Sequence, residues 1–182
     1  ELTHRLDEVC RAHGVTRFMV LMAVFQVLLG RYSDTRDVSV GTPVSGRVRP
    51  EFEQLVGFFV NTLVIRTRWE EELTFAALLG RVREITLGAC AHQDVPFEQV
   101  VESVRPPRQA GRAPLFQAML AMQNVPQATD ALPGLSVAVH ESAVRVAKFD
   151  LTLVWDEGTL PSGALDGYLE YDVDLFDGAT VE

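Results

Sequence analysis

The segment Arg17–Tyr32 constrains the fold most, because wound as a helix it is apolar on nearly every side. Such a helix has to be buried on several faces. Its apolar run, 18–29, is interrupted by Gln26 and is shorter than the roughly 20 residues that a membrane span needs. The segment is therefore predicted to be a core helix of a globular domain and not a membrane span.

Length and charge narrow the class of protein. The chain has 182 residues, of which 47% are hydrophobic and 23% charged, as expected for one globular domain or a large part of one. Its net charge of -9 argues against a nucleic-acid-binding protein, which needs a basic face for phosphates. The two cysteines cannot form a disulfide framework, and no Cys/His set has metal-ligand spacing.

Hydrophobic periodicity predicts an α/β protein with a mixed β-sheet flanked by helices. The predicted helices are 2–12, 17–32, 74–91 and 96–104, and the predicted strands are 37–44, 58–68, 115–123, 135–140, 149–156 and 164–171. A loop is predicted at 125–134. Gly14 is expected to end the first helix, and Thr16 and Thr74 to cap the next two. The uncapped start and the helix-like end, 178–182, are expected to be cuts through a longer protein.

The strand 58–68 carries apolar residues on both faces, which favours a central strand covered on both sides. Asn61 lies in its middle, on the face of Phe59 and Leu63. A buried amide costs about 1–3 kcal/mol when it is unpaired. Asn61 is therefore expected either to have a fixed partner or to face a wet cavity.

No local pattern predicts catalysis or metal binding. Cys90 and His92 are two apart, so on one helix they would not face each other. The aspartates near the end do not have EF-hand spacing, and the glycines form no phosphate loop. Asp94 is expected to cap the helix 96–104. The basic patch of Arg105, Arg108 and Arg112 fits a solvated face or carboxylate partners within the fold.

Five short motifs carry a resemblance to a known family. They read Val-Gly-Thr-Pro-Val-Ser-Gly-Arg at 40–47, Val-Gly-Phe-Phe-Val-Asn-Thr-Leu at 56–63, His-Gln-Asp-Val-Pro-Phe-Glu at 92–98, Arg-Ala-Pro-Leu-Phe-Gln at 112–117 and Lys-Phe-Asp-Leu at 148–151. In order and spacing the chain resembles condensation domains of nonribosomal peptide synthetases. The likeness covers 1–182 and is to the C-terminal lobe of that domain.

The resemblance implies one lobe of a chloramphenicol-acetyltransferase-like fold. The family joins a donor acyl or peptidyl thioester to an acceptor aminoacyl thioester, both held on phosphopantetheine arms of carrier proteins. Its catalytic signature, His-His-x-x-x-Asp-Gly, belongs to the N-terminal lobe and is absent from this sequence. The implied partners are that lobe, the donor and acceptor carrier domains and an adjacent adenylation domain. No cofactor is expected to bind this lobe directly, and a cytoplasmic location is implied.

The resemblance also assigns roles to residues. Asn61 and Ser45 are expected to face the substrate tunnel, although a satisfied core amide and a turn hydroxyl are the alternatives. Arg112 could hold a loop, and the basic patch around it could touch a carrier-protein phosphate. Structural roles are expected for Gly57, Phe59, Thr62, His92, Gln93, Asp94, Pro96, Phe97, Arg112, Pro114 and Phe116.

Two further hypotheses follow from the resemblance. The family often has Arg-Asp-x-Ser-Arg before Pro-Leu-Phe-Gln, whereas here the segment 108–112 is Arg-Gln-Ala-Gly-Arg, which is closer to the subclass that takes a D-configured donor. The competing function is a non-catalytic condensation-like domain that recruits a tailoring enzyme. A lone lobe is also expected to expose an apolar patch and to self-associate.

Overall fold

The computed structural model describes residues 1–107, 110–123, 146–157 and 165–181. Five α-helices and five strands lie in these ranges. The helices are α1 (Leu2–His13), α2 (Arg17–Tyr32), α3 (Phe75–Ala91), α4 (Phe97–Val104) and α5 (Gly178–Val181). The strands are β1 (Asp37–Val44), β2 (Asn61–Arg68), β3 (Ala118–Gln123), β4 (Leu151–Glu157) and β5 (Leu165–Tyr171). The predicted strand 135–140 and the predicted loop 125–134 lie outside the described residues, as does Arg108.

The strands form one mixed sheet in the order β2-β1-β3-β4-β5. The outer pairs, β1–β2 and β4–β5, are antiparallel, whereas β1–β3 and β3–β4 are parallel. Helices α2 and α3 pack on the sheet, α1 packs against both of them, and the main core lies between these helices and β1, β2 and β3. The fold class predicted from periodicity, α/β with a mixed sheet, is confirmed.

Local capping chemistry sets the helix ends as predicted. Thr16 Oγ1 accepts from the Met19 amide at 3.3 Å, and Thr74 Oγ1 accepts from the Ala77 amide at 3.2 Å. Gly14 ends α1 in the left-handed conformation, with φ of 60°.

Helix α2 is buried on several faces, as expected, with Met19, Val20 and Phe25 among its buried residues, but one side is covered only in part. Val24 and Leu28 are each about half exposed. This apolar side of the helix is therefore only partly covered by the described residues.

No single helix in the described ranges is both long enough and apolar enough to span a membrane. Taken together, α1 and α2 reach that length and composition, but they are bent by 99° at the break between them.

The position of β2 differs from the prediction. It begins at Asn61, and among the strands that the structure describes it lies at one edge of the sheet and not in its centre. The reason is its partner: β1 ends at Val44, which lies opposite Asn61, and residues before Asn61 have no described strand to pair with. Phe58 is accordingly 91% exposed, and only the face of Leu63 and Ile65 is buried.

The predicted strand 115–123 is also shorter, because β3 starts only at Ala118. Leu115 has φ of 70°, a left-handed conformation that a strand cannot include. β4 begins two residues later than the predicted strand 149–156, since Leu151 is its first paired residue.

Gln26 is a polar side chain in the middle of the core. It is fully buried in α2, and its Nε2 donates to the carbonyl oxygens of Ile65 at 2.9 Å and Val38 at 3.4 Å. The amide therefore ties the core helix to both β1 and β2. This explains why a glutamine interrupts an otherwise apolar run.

Asp37 joins β1 to β2 and predicts a pH dependence of stability. Its carboxylate accepts from Arg66 Nε at 2.7 Å and Nη2 at 2.6 Å, and from Arg68 Nε at 2.8 Å. The Arg66 hydrogen bond holds the pKa of the Asp37 carboxyl below its ordinary value of 3.8. A lowered pKa in the folded state means that this contribution is present above the unfolded pKa and is lost as the pH falls through the folded pKa.

We therefore expect the free energy of unfolding of the wild-type chain to fall more steeply than that of Asp37→Asn as the pH drops below about 4. Urea unfolding at a series of pH values measures this difference. Parallel pH profiles for the two proteins would contradict the prediction.

Candidate functional site

Asn61 connects two of the motifs through all of its amide atoms. Its Nδ2 donates to the carbonyl oxygens of Gln93 at 2.8 Å and Val95 at 2.7 Å. Its Oδ1 accepts from the amides of Thr62 at 2.9 Å and Phe97 at 3.1 Å. Asn61 therefore has the fixed partners expected of an amide at this position, and it also borders the open cleft described below.

This arrangement corrects the expected capping of α4. The N-cap residue is Pro96, and no side chain of its own turn caps the helix. The amide of Phe97, the first residue of α4, instead bonds to Asn61 from a different element. The expected Asp94 cap is therefore wrong, because Asp94 lies two residues before the N-cap position, which Pro96 occupies.

Three phenylalanines join further motifs. The Phe116 ring lies 5.7 Å from that of Phe97 and 5.1 Å from that of Phe149, measured between centroids. Phe116 also packs against β1 at Gly41, where an added Cβ would lie 2.3 Å from the ring. Phe116 is buried, so the cluster fastens α4 and the residues before β4 to the sheet.

The segment between β1 and β2 is held against the start of β2. Gly46 has φ of 66°, and an added Cβ would lie 1.9 Å from the Phe59 carbonyl oxygen. The Arg47 guanidinium lies 4.5 Å from the Phe59 ring centroid and donates to the Phe52 carbonyl oxygen. The Oγ of Ser45 accepts from the Arg47 amide at 3.3 Å, within the same turn.

These motifs border an open cleft of about 410 Å³. One wall is the segment leading into β2, with Phe59, Asn61 and Thr62, and the other is the turn into α4, with Gln93 and Pro96. Asn61 therefore lies on the cleft wall, close to the second motif.

The remaining predicted residues of this region lie in or beside the same cleft. Asp94 and Glu98 line it, and so does Gly46. Ser45 precedes Gly46 in the chain and lies at the margin of the cleft, not in its wall.

A larger cleft of about 920 Å³ lies between the end of α4 and the segment before β3. Arg105, Arg112 and Pro114 are among its lining residues. Arg105 ends α4 in a left-handed conformation, with φ of 49°. Two of the three arginines of the predicted basic patch thus share one cleft, together with Glu102.

The described residues contain no group of three or more His, Cys, Asp or Glu that could hold a metal ion. His92 is exposed and ends α3, with its amide bonded to the Ala89 carbonyl oxygen at 3.1 Å. Gly57 is exposed and packs near the Phe59 ring. The structural roles expected for these two motif residues remain predictions.

Sequence reasoning missed two contacts of this region. The first is the Arg47–Phe59 stacking, and the second is the Phe97–Phe116–Phe149 cluster. Both join residues that are distant in sequence, and nothing in the spacing of one motif indicates its spatial neighbour. The recurrence of phenylalanine in several motifs was the available signal.

The whole chain, residues 1–182, matches the family model for the condensation domain. It is 45% identical over 184 residues to one of the proteins that make up the linear gramicidin synthase of Brevibacillus parabrevis. It is 43% identical over 185 residues to a dimodular nonribosomal peptide synthase of Bacillus subtilis. Both matches cover 100% of this chain but only 4% and 8% of those relatives.

Solved structures agree with this match. The X-domain from teicoplanin biosynthesis superposes with a TM-score of 0.86 at 29% identity, covering 97% of this chain and 40% of that one. The same domain in complex with OxyB gives 0.83 at 28% identity, covering 97% of this chain and 39% of that one. A four-domain nonribosomal peptide synthetase bound to AMP and glycine gives 0.82 at 27% identity, covering 97% of this chain and 14% of that one. By sequence and by fold, the chain belongs to the condensation-domain family.

Proposed function

We propose that this chain is the C-terminal half of a condensation domain that forms an amide bond between two carrier-bound substrates. The observation that carries the proposal is the family match over residues 1–182, combined with a sequence that lacks His-His-x-x-x-Asp-Gly. The catalytic histidines then belong to the other lobe, and this half supplies walls and docking surfaces.

The cleft beside Asn61 is our candidate for this lobe's share of the substrate tunnel. It is bordered by two of the family motifs, and the chain edge that forms it, residues 58–60, has no pairing strand among the described residues. Ser45 would lie at its margin. The substrates are carried on phosphopantetheine arms, so donor and acceptor carrier domains are the proposed partners, with an adenylation domain adjacent.

The arginines of the larger cleft suit a second contact with a carrier domain. Arg105 and Arg112 line it in a chain whose net charge is -9. A guanidinium recognises a phosphate or carboxylate group through paired hydrogen bonds. The proposed ligand of this cleft is an anionic group on a carrier domain, contacted by Arg105.

A non-catalytic docking domain is the second candidate function. The specific observation in its favour is the fit to the X-domain from teicoplanin biosynthesis, of which a complex with OxyB is solved. The two functions differ in the histidines of the other lobe. The motif residues of this lobe serve the fold in both cases.

The experiment that tests the proposal is a condensation assay on two proteins, this chain alone and this chain joined to the N-terminal lobe of the same domain. Donor and acceptor carrier proteins are loaded with aminoacyl groups, and product is measured by mass spectrometry. We expect product from the two-lobed domain and none from the chain alone. An inactive two-lobed domain would favour the docking function, and product from the chain alone would refute the proposal.

Donors of D and L configuration, run in parallel in the same assay, test the D-donor hypothesis.

The chain alone is expected to self-associate through the apolar residues before β2. Val56 and Phe58 are almost fully exposed, and Val60 and Val95 are about half exposed. An apolar surface of this kind promotes association when no partner covers it. Sedimentation over a range of concentrations should show oligomers of the wild-type chain.

The double variant Val56→Ser with Phe58→Asp should shift this chain towards monomer. The matched control is Tyr168→Asp, which changes an exposed aromatic residue on β5, at the opposite edge of the sheet. A wild-type chain that stays monomeric at high concentration would contradict the expectation.

A further inference from the structure

We infer that Asn61 is a positioning residue for the condensation reaction, acting through the turn at 93–97 and not by contact with substrate. The inference rests on the proposed function and deepens it, because it assigns a mode of action to one residue of the cleft wall. It is carried by the hydrogen bonds of a single side chain.

The side-chain amide of Asn61 has nothing left to offer a substrate. A primary amide has two N–H donors and one oxygen with two acceptor positions. Both donors are used by carbonyl oxygens of the turn, at 2.8 Å and 2.7 Å. Both acceptor positions are used by backbone amides, at 2.9 Å and 3.1 Å. Its effect on chemistry must therefore pass through the groups that it holds.

Those groups form one wall of the cleft. The carbonyl oxygens of Gln93 and Val95 and the amide of Phe97 are the last groups of the turn and the first of α4. The strand segment that ends in Asn61 forms the facing wall. One side chain thus bridges both walls and fixes the distance between them.

The cleft wall formed by the turn and the start of α4 is also attached to the rest of the fold by the contact between the Phe97 and Phe116 rings. Loss of Asn61 should therefore leave α4 attached but free to shift. A shift of about 1 Å in a group that positions a substrate can cost on the order of 100-fold in rate. We expect the rate of the bond-forming step to be more sensitive to Asn61 than the affinity for the carrier proteins.

The test uses the two-lobed domain with loaded carrier proteins. Asn61→Ala removes all four bonds, whereas Asn61→Asp keeps the acceptor oxygen and brings a carboxylate oxygen against two carbonyl oxygens. We expect both variants to lower kcat by about tenfold or more, with the KM for each carrier substrate within about threefold of wild type. Amide hydrogen exchange at Phe97 should be faster in Asn61→Ala, which removes the acceptor of that amide.

Two comparisons separate positioning from other roles. Ile65→Val, on the same strand but fully buried in the core, trims the core away from the cleft and should leave kcat unchanged. Phe97→Leu weakens the contact with the Phe116 ring, and its effect on kcat should not add to that of Asn61→Ala, because both act through α4. Additive effects, a raised KM with wild-type kcat, or wild-type kinetics in Asn61→Ala would each overturn the inference.

Failure of the proposed function would look different. In that case the wild-type two-lobed domain would form no product. Hydrogen exchange at Phe97 would still decide the structural half of the inference, because unchanged exchange in Asn61→Ala would show that this amide does not hold the turn.

Discussion

Gly46→Ala is expected to destabilise the chain by about 3–5 kcal/mol, near the upper end of what one substitution does. Gly46 has φ of 66°, which costs a residue with a side chain about 1–2 kcal/mol. The new Cβ would also lie 1.9 Å from the carbonyl oxygen of Phe59 and 2.9 Å from its carbonyl carbon. Backbone atoms have to move to relieve this contact, and the lead into β2 moves with them.

Gly14→Ala is the matched control for the conformational part of this cost. Gly14 has nearly the same φ, 60°, and an added Cβ would meet nothing within 4 Å. We expect a loss of only about 1–2 kcal/mol for this variant. Urea unfolding of both variants gives the difference. Equal losses of unfolding free energy in the two variants would show that the close approach of Gly46 to Phe59 does not add to the cost of the substitution.

Phe116→Ala is expected to cost about 3–5 kcal/mol, the range found when a buried phenylalanine is truncated. The Phe116 side chain is buried and contacts the rings of Phe97 and Phe149. It also fills the space beside Gly41, so its removal would leave a cavity between β1 and α4. Urea unfolding, followed by circular dichroism, measures the loss of stability.

The control for Phe116 is Phe58→Ala. Phe58 is the same residue type but is almost fully exposed, so at a protein concentration low enough for the chain to be monomeric its truncation should change the stability by no more than about 0.5 kcal/mol. Similar losses for the two variants would contradict the packing role of the aromatic cluster.

The features that could be predicted well from the sequence are those set by near neighbours. The caps by Thr16 and Thr74 and the end of α1 at Gly14 each depend on groups within a few residues, and all three were confirmed. The segment Arg17–Tyr32 was also predicted to the residue, because a long periodic pattern with a cap and a following turn leaves little freedom.

The features that were wrong depend on residues far apart in the chain. The start of β2 at Asn61 follows from where β1 stops, and no property of residues 58–68 reveals that end point. Its edge position follows from the order of the described strands, which is likewise set by residues elsewhere in the chain. Local capping preference predicted Asp94 as the partner of the start of α4. The first amide of that helix bonds instead to the side chain of Asn61, which is distant in sequence. The expected site roles of Asn61 and Ser45 rested on the family resemblance together with the argument that a polar group among apolar strands needs a partner.

The pairing of the strands also indicates where local unfolding of the sheet should begin. β1 and β3 pair at only two positions, Val40 with Ala118 and Gly41 with Met119, whereas β3 and β4 pair at six. Local opening follows the boundaries where the fewest interactions cross. The sheet therefore has a seam, with α1, α2, α3, β1 and β2 on one side and β3, β4 and β5 on the other. Ala118 and Leu120 of β3 cross that seam by packing in the helix-covered core, and Phe116 crosses it by packing against Gly41. The residue that packs the site therefore also strengthens the sheet where its strand pairing is shortest.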